Sequence, residues 1–374
     1  MNQREREFVD FLRHECKDLL TEYYDTDFNL LRWAQGHGFD KEEAVAELRR
    51  HLRFRQYYDL DNILTNVKDH PILKKYFPIG LVGETGKDNQ LLVIECAGRI
   101  DLMGILKSVH LSDFLIQRFK FQEKMLAAMN EMERKHGTQC SVIYILDLEG
   151  LKFDPTLLNV VTGPYRILWA SVYTAYPEWI NTLFLINAVV YVTDLEGTSD
   201  WKSAVQKHAH IDNIPKHWGG NLVDKNGDGM CRDILNIPFD SIPQELYWTP
   251  NDETPAVNDL VCTNIGAGKS AVFTYIVDTS VTEPVYIVIN RYCDRTFGMG
   301  IWHGNDENSE LEEMKELAPD FDYPGMPTVD YLRLRMPGSG VYKIKWGNEQ
   351  AWIRSLTLYH RVRFQNEQRR TSST

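Results

Sequence analysis

Two short segments of this sequence combine residue types that bind phosphate or calcium in other proteins. The first is Gly266-Ala267-Gly268-Lys269-Ser270, which resembles the end of a phosphate-binding P-loop. The full motif requires a glycine five residues before Gly268, so that backbone amides can wrap the phosphates, but that position is Thr263. It also requires a following helix, whereas residues 271–277 have the composition of a strand. We therefore expect a β-turn here and no nucleotide site.

The second segment is Asp224-Lys225-Asn226-Gly227-Asp228-Gly229, which matches the first half of a calcium-binding EF-hand loop. An EF-hand also requires a bidentate glutamate at the twelfth position, and here that position is Leu235. A polar surface turn is the better prediction, since Gly219-Gly220 and Ile237-Pro238 leave no room for flanking helices. GxSxG, HExxH and complete GxGxxG motifs do not occur. We expect no metal site, no cofactor and no enzymatic activity.

The composition is that of an ordinary globular protein with an acidic balance. The 374 residues include 53 acidic and 41 basic side chains, and the formal charge of −12 disfavours nucleic-acid binding and purely electrostatic membrane attachment. The N-terminus lacks a signal-peptide pattern, and the longest apolar run, 183–192, is too short to span a bilayer. The six cysteines are scattered without a CxxC pair, as expected for reduced thiols. These features predict a cytoplasmic protein.

The elements that would position any site change in kind along the chain. Residues 1–75 have amphipathic helical patterns, including a capping box at Asp40 and Glu43. Residues 76–240 alternate buried strands with helices, which predicts an α/β domain with a largely parallel sheet. In that part, strands are predicted at 91–94, 141–146 and 183–187, and helices at 112–136 and 156–174.

Residues 241–374 follow the period of half-buried strands and predict an antiparallel β-sandwich. Prolines from Pro238 to Pro255 mark a linker-like segment before it, so we expect this part to fold independently. The acidic stretch 306–322 is expected to be a solvated loop. Strands are predicted at 272–277, 285–289, 331–336, 342–346 and 356–364.

Aromatic side chains are dense in the α/β part. The density suits a cavity lined by hydrophobic groups with few polar anchors, although core packing is the alternative for each of them. They are Phe114, Phe119, Phe121, Tyr144, Phe153, Tyr165, Trp169, Tyr173, Tyr176, Trp179 and Phe184.

Ordered motifs in the first 220 residues resemble those of the CRAL-TRIO lipid-binding family, and residues 340–348 and 353–364 resemble the end of a GOLD domain. CRAL-TRIO followed by GOLD is the arrangement of supernatant protein factor and its relatives, which are similar to tocopherol- and phosphatidylinositol-transfer proteins. The CRAL-TRIO motifs are Asp27-Phe28-Asn29-Leu30-Leu31-Arg32-Trp33, Gly38-Phe39-Asp40 with the helix at 44–55, VIYILDLEG at 142–150, Tyr176-Pro177-Glu178, Ile186-Asn187-Ala188, and Ile214-Pro215-Lys216-His217-Trp218-Gly219-Gly220.

The resemblance implies a helical CRAL-TRIO subdomain at 1–75, a lipid-binding domain at 76–240 and an all-β GOLD sandwich at 241–374. It implies a cytosolic carrier of a hydrophobic lipid (phosphatidylinositol, tocopherol or a squalene-like molecule) that meets membranes transiently, since each buried CH₂ contributes about 0.8 kcal/mol. The alternative is an adaptor at Golgi or vesicle membranes that binds a secretory-pathway protein through the GOLD domain. His37-Gly38 stands where the family has a basic pair before Phe39, so the cations directed at phosphate are weakened. Glu178 would lie at the pocket mouth, and the alternative is a helix-end carboxylate with a local partner. The predicted lipid-binding residues are His37, Phe121, Tyr144, Phe153, Trp169, Tyr173, Glu178, Phe184 and Ile186.

One departure from the family pattern follows Ile186-Asn187-Ala188. The family continues with a proline, an amphipathic gate helix and a lysine-containing turn, but residues 189–193 here lead directly to the segment after the gate, so about twenty residues are missing. We therefore expect the apolar lining near Phe184 and Ile186 to lose its cover and the bound lipid to exchange readily.

Overall fold

The computed structural model describes residues 1–151, 176–187, 201–237, 239–277 and 285–366. These residues form two compact units. The first contains the described residues up to 244 except 106–116, and the second contains 106–116 together with the described residues from 245 onward. The domain boundaries at 75 and 240 stay predictions.

Helices dominate the start of the chain, as its amphipathic patterns predict. The Asn2 side chain accepts a hydrogen bond from the Glu5 amide at 3.0 Å, and the Asp40 side chain accepts one from the Glu43 amide at 2.9 Å. These polar caps fix where two helices begin. The described helices are α1 Gln3–Glu15, α2 Asp27–Gly36, α3 Lys41–Tyr58, α4 Ile63–Asn66, α5 Pro71–Tyr76, α6 Leu102–Ser108, α7 Leu111–His136, α8 Trp201–His208 and α9 Arg232–Leu235.

The sheet of the first unit has the order β1-β2-β3-β4. Strands β2, β3 and β4 are parallel to one another, and β1 pairs with β2 in the antiparallel sense. The predicted α/β arrangement with a largely parallel sheet is thus confirmed for the described residues. The strands are β1 Ile79–Glu84, β2 Gln90–Glu95, β3 Ser141–Asp147 and β4 Ile180–Ile186.

One face of this sheet is a packed apolar core. Alternate residues of β2, β3 and β4 point to this face and pack against α8 and the segment that follows it, because successive strand residues point to opposite sides. Aliphatic burial on this scale stabilises the unit by about 1.5–3 kcal/mol for each large side chain. The buried members are Leu92, Ile94, Cys96, Ile143, Ile145, Ile186, Val205, Ala209, Ile214, Trp218 and Leu235.

The second unit contains two four-stranded antiparallel sheets, of order β10-β7-β12-β5 and β6-β11-β8-β9. Aromatic side chains of the two sheets pack against each other. The ring centroids of Phe273 and Trp346, in the second sheet, lie 4.8 and 5.2 Å from the ring centroid of His360 in the first. The strands are β5 Val261–Ile265, β6 Ser270–Val277, β7 Val285–Tyr292, β8 Phe297–Gly304, β9 Lys315–Tyr323, β10 Asp330–Met336, β11 Gly340–Gly347 and β12 Leu356–Asn366.

Two expectations about the β-rich part are wrong. The acidic stretch 306–322 is not wholly a solvated loop, because Lys315–Tyr323 is a strand whose Ala318 is fully buried. Its partner strand β8 was not predicted, since glycines such as Gly298 and Gly300 hide the alternation. The proline-rich segment is also not a free linker, because Ile242 is buried and its amide donates to Asp101 at 2.8 Å.

Candidate functional site

Three of the motifs that carry the family resemblance meet at Asp147, the last residue of β3. The buried Asp147 carboxylate accepts hydrogen bonds from the Asn187 side chain at 2.8 Å, the Trp218 indole at 3.0 Å and the Glu149 amide at 2.9 Å. Every group that faces this carboxylate in those contacts is a donor. Asp147 therefore fastens the carboxyl ends of β3 and β4 to the segment around Trp218.

A possible metal-binding set includes the same carboxylate. Oxygen or nitrogen atoms of Asp147, Glu149 and His217 all lie within 4.8 Å of one another. Both Asp147 oxygens already accept protein hydrogen bonds, and Glu149 pairs with Arg99. Because the carboxylates have protein partners, the geometry favours a structural bracket over a metal centre.

The register of the sheet decides which predicted residues share a face. Tyr144 of β3 lies beside Leu183 of β4, and Ile145 lies beside Phe184. Paired residues of a parallel sheet point to the same side, so Tyr144, Leu183 and Leu185 share one face. We call this the Tyr144 face. Phe184 and Ile186 lie on the opposite face, in the packed core.

The Tyr144 face carries a buried polar group beneath α7. The Tyr144 hydroxyl donates to the Glu95 carboxylate, and the Arg118 guanidinium of α7 lies 3.9 Å from the same carboxylate. All three side chains are buried. A charged pair and a hydroxyl thus contact one another on the same face as the apolar side chains of Leu183 and Leu185.

Phe184 and Ile186, near which we expect the apolar lining to lose its cover, are themselves covered in the described structure. Ile186 is buried in the core, and the half-buried Phe184 ring lies 5.6 Å from His208 of α8. The exposed apolar side chains of β4 are instead Leu183, at 41% exposure, and Leu185, at 57%. The uninterrupted apolar run of β4 does not reveal from sequence which alternate residues turn inward.

Tyr176 anchors the Tyr176-Pro177-Glu178 motif to the helices. Its hydroxyl donates to Glu123 of α7 at 2.9 Å, and Glu123 binds Arg55 of α3 through two contacts of 2.8 and 3.0 Å. Arg55 also reaches Asp61 at 2.6 Å. Burial and the Glu123 charge raise the pKa of Tyr176 well above its usual value, so the hydroxyl stays protonated and donates.

The predicted polar residues Glu178 and His37 have local surroundings. Glu178 is exposed, and its backbone has a φ of +57°. The preceding residue, Pro177, packs closely against Gly36 at the end of α2, because a Cβ added to Gly36 would lie 2.9 Å from the Pro177 Cβ. His37 stacks on Trp33 at 5.8 Å, and its Nδ1 lies 3.4 Å from Glu43. Neither residue lies on the Tyr144 face, which the sheet strands form.

The remaining predicted lining residues are less informative. Phe121 is half-buried on α7. Phe153, Trp169 and Tyr173 lie outside the described residues, as do the predicted helix at 156–174 and the residues that follow Asn187. The prediction of a missing gate helix therefore stays a prediction.

The two segments with phosphate-like and calcium-like patterns form turns. Residues 266–269 connect β5 to β6, with Gly268 at φ +67°, so the β-turn prediction is confirmed. In the other segment, Asp224 accepts the amides of Asn226 and Asp228 at 2.9 and 3.0 Å. These carboxylate bonds close a polar turn, as predicted.

Comparisons with known proteins place the chain among relatives that match along most of its length. A CRAL-TRIO domain-containing protein of Caenorhabditis elegans, F28H7.8, is 29% identical over 358 residues, which are 92% of this chain and 87% of that protein. The resemblance to CRAL-TRIO proteins is confirmed. The protein ctg-1 of the same organism is 20% identical and matches 91% of this chain and 92% of its own length. The protein real-time of Anopheles gambiae is 28% identical over 64% of this chain and 39% of its own length.

A family model also matches the C-terminal part of the chain. Residues 246–372 match the family described as "F28H7_8_C:-like, C-terminal domain". Among solved structures, the crystal structure of Sfh5 aligns with 49% of this chain and 70% of its own, with 13% identity and a TM-score of 0.36. Among the described helices, none combines the length and the apolar character that crossing a bilayer requires.

Sequence reasoning missed the residues that hold this region together. Asp147, Glu123 and Arg55 are buried charged groups, and nothing in the local sequence of Glu123 or Arg55 distinguishes them from surface charges. A signal was available for Asp147, because it lies within the VIYILDLEG motif at the end of a buried strand. The carboxyl ends of parallel strands meet at one edge, where polar contacts concentrate.

Proposed function

We propose that this chain is a non-enzymatic protein that binds one hydrophobic lipid and carries or presents it at membranes. The observation that carries the proposal is the match to a CRAL-TRIO domain-containing protein over 92% of the chain. A phosphatidylinositol, tocopherol or squalene-like molecule is the proposed cargo. The proposed location is the cytoplasm, with transient contact at membranes, and the β-rich second unit is proposed to be a GOLD-type sandwich.

The Tyr144 face supports this proposal and specifies where the lipid would bind. Leu183 and Leu185 offer exposed apolar surface at the β4 side, while Tyr144, Glu95 and Arg118 supply the polar contacts deeper on the same face. The other face of the sheet is filled by its own core. A lipid on the Tyr144 face would cover Leu183 and Leu185 and gain the hydrophobic free energy of its own chain.

The test compares two leucines of equal exposure. Leu183→Lys places a charge on the Tyr144 face, whereas Leu64→Lys places one on α4, and the parent side chains are 41% and 40% exposed. Retention of a fluorescent phospholipid through gel filtration is measured for the natural chain and both variants. Leu183→Lys is expected to lose most of the lipid, because an amine buried against acyl chains is strongly unfavourable, while Leu64→Lys retains it.

Native mass spectrometry of the purified protein, followed by lipid extraction, identifies the natural cargo. Equal retention of the fluorescent phospholipid by both variants would contradict lipid binding on the Tyr144 face. Absence of lipid from the natural chain in both experiments would contradict the carrier function and favour the adaptor alternative. Residues 246–372 match a family of their own, and the adaptor would act through this part.

A further inference from the structure

The second unit exposes two large apolar side chains on the loop between β11 and β12. Trp352 is 92% exposed and Ile353 is 90% exposed, more than any other large hydrophobic residue in the described ranges. Scattered exposed hydrophobics are normal, but two adjacent and almost completely exposed ones at a loop end are a feature that soluble surfaces rarely carry without a use.

The loop is held in place by one buried side chain. The Asn348 amide donates to the carbonyls of Ile265 and Gly266 at 3.1 Å and to that of Arg354 at 3.0 Å. Two backbone hydrogen bonds also link Asn348 to the neighbouring turn. The Gly268 amide donates to the Asn348 carbonyl at 3.0 Å, and the Asn348 amide donates to the Lys269 carbonyl at 2.8 Å. The turn 266–269 and the loop 348–355 therefore form one rigid end of the unit, which we call the Trp352 tip.

The charges on the Trp352 tip are suited to a negative surface. Lys269 and Arg354 are both exposed, and within the described residues neither forms an ion pair. The acidic residue of the loop, Glu349, pairs at 2.7 Å with Lys345, which also pairs with Asp320 at 2.7 Å. Two free cations thus flank the apolar pair, although the whole chain carries a formal charge of −12.

We propose that the Trp352 tip inserts into anionic lipid surfaces. Tryptophan concentrates at membrane interfaces, where the ring is buried at headgroup depth and its N–H stays wet, and flanking lysine and arginine pair with lipid phosphates. The area argues against a protein partner. A tryptophan and an isoleucine together offer about 400 Å² at most, against about 800 Å² per partner in a stable complex.

This inference extends the proposed function, because a lipid carrier must meet membranes, but its test needs no cargo. Flotation of the full chain is measured with vesicles of phosphatidylcholine alone and of phosphatidylcholine mixed with phosphatidylserine. The natural chain is expected to bind the mixed vesicles. Trp352→Ser is expected to lower the partitioning of the chain onto vesicles about tenfold. Lys269→Gln and Arg354→Gln, as single variants, are each expected to weaken binding about fivefold, and only on the anionic vesicles.

Ile276→Ser is the matched control, since Ile276 is 68% exposed but lies at the other end of β6, about 20 Å from the Trp352 tip. It should bind as the natural chain does. Ile353→Ser repeats the test at the second apolar residue, and near-complete exposure makes both substitutions compatible with folding. The retention of fluorescent phospholipid should be unchanged in Trp352→Ser, which separates membrane docking from cargo binding.

Three results would overturn the proposal. The natural chain could fail to bind either vesicle, or Trp352→Ser could bind as well as Ile276→Ser. Sedimentation could also show that the natural chain self-associates and that Trp352→Ser abolishes this, in which case the tip contacts a second copy of the chain. If the natural chain retains no fluorescent phospholipid but still floats with the mixed vesicles, only the carrier function is contradicted.

Discussion

Replacing Asp147 with asparagine tests whether this carboxylate fastens the sheet to the segment around Trp218. The substitution keeps the size of the side chain but exchanges one acceptor oxygen for an NH₂ donor. The three groups in contact with Asp147 are all donors, at 2.8–3.0 Å. Asparagine can satisfy some of them with its one oxygen and must place its NH₂ against another.

The magnitude follows from the contacts. Hydrogen bonds to a charged group contribute about 1.5–3 kcal/mol each, and a buried donor without a partner costs about 1–3 kcal/mol. The Trp218 indole is almost fully buried, so it cannot turn to water. We expect Asp147→Asn to lower the free energy of unfolding by about 2–4 kcal/mol, and Asp147→Ala by about 3–5 kcal/mol.

The assay is urea unfolding of the full chain, followed by tryptophan fluorescence and circular dichroism. Asp88→Asn is the control, since Asp88 is exposed and its left-handed backbone, with φ at +49°, accepts asparagine. It should stay within about 0.5 kcal/mol of the natural chain. An equally small effect for Asp147→Asn would refute the bracket. A chelator that lowers the midpoint of the natural chain would instead assign a metal to Asp147, Glu149 and His217.

Two further perturbations test buried charges in the helical part. Glu123→Leu leaves the Arg55 guanidinium without its bidentate partner, so we expect about 3–5 kcal/mol of destabilisation in urea, while Glu131→Leu on the exposed side of α7 should have little effect. Burial, reinforced by the charge of Arg55, holds the pKa of His51 well below 6.5, so the folded chain keeps it neutral while the unfolded chain takes up a proton. Stability should therefore fall as the pH drops below 6.5, and His51→Phe should flatten this dependence in pH-resolved urea titrations, whereas replacing the exposed His136 with glutamine should not.

Much of the architecture could be predicted because the relevant patterns are local. The predicted helix at 112–136 is observed at Leu111–His136, followed by Gly137 at φ +66°, and strict alternation located β10, β11 and β12. The failures have a shared cause. Strand β8 is rich in glycine and β9 is rich in acidic residues, so their apolar alternation is visible only when the two strands are paired.

The candidate site depends on information that is not local. The strand β4 begins a continuous apolar stretch, so nothing in it distinguishes Leu183 from Phe184. The register with β3 decides the matter, since it places Leu183 beside Tyr144 and Phe184 beside Ile145. A shift of one residue would exchange the two faces and fill the Tyr144 face with the core residues. The sequence could thus identify the strand of the candidate site but not which of its side chains lie on the Tyr144 face.

There is also a physical reason why the motifs behind the family resemblance identify the fold more reliably than the proposed lipid. Asp147, Asn187 and Trp218 come from three of them, and their donors and acceptors match at fixed distances, as do those of Tyr176 and Glu123. Such contacts tolerate few residue types, because each substitution leaves a buried polar atom unsatisfied. An apolar lining tolerates many, provided that its volume is kept. The residues that are easiest to recognise therefore hold the sheet and helices in position, and the identity of the proposed lipid must come from direct measurement.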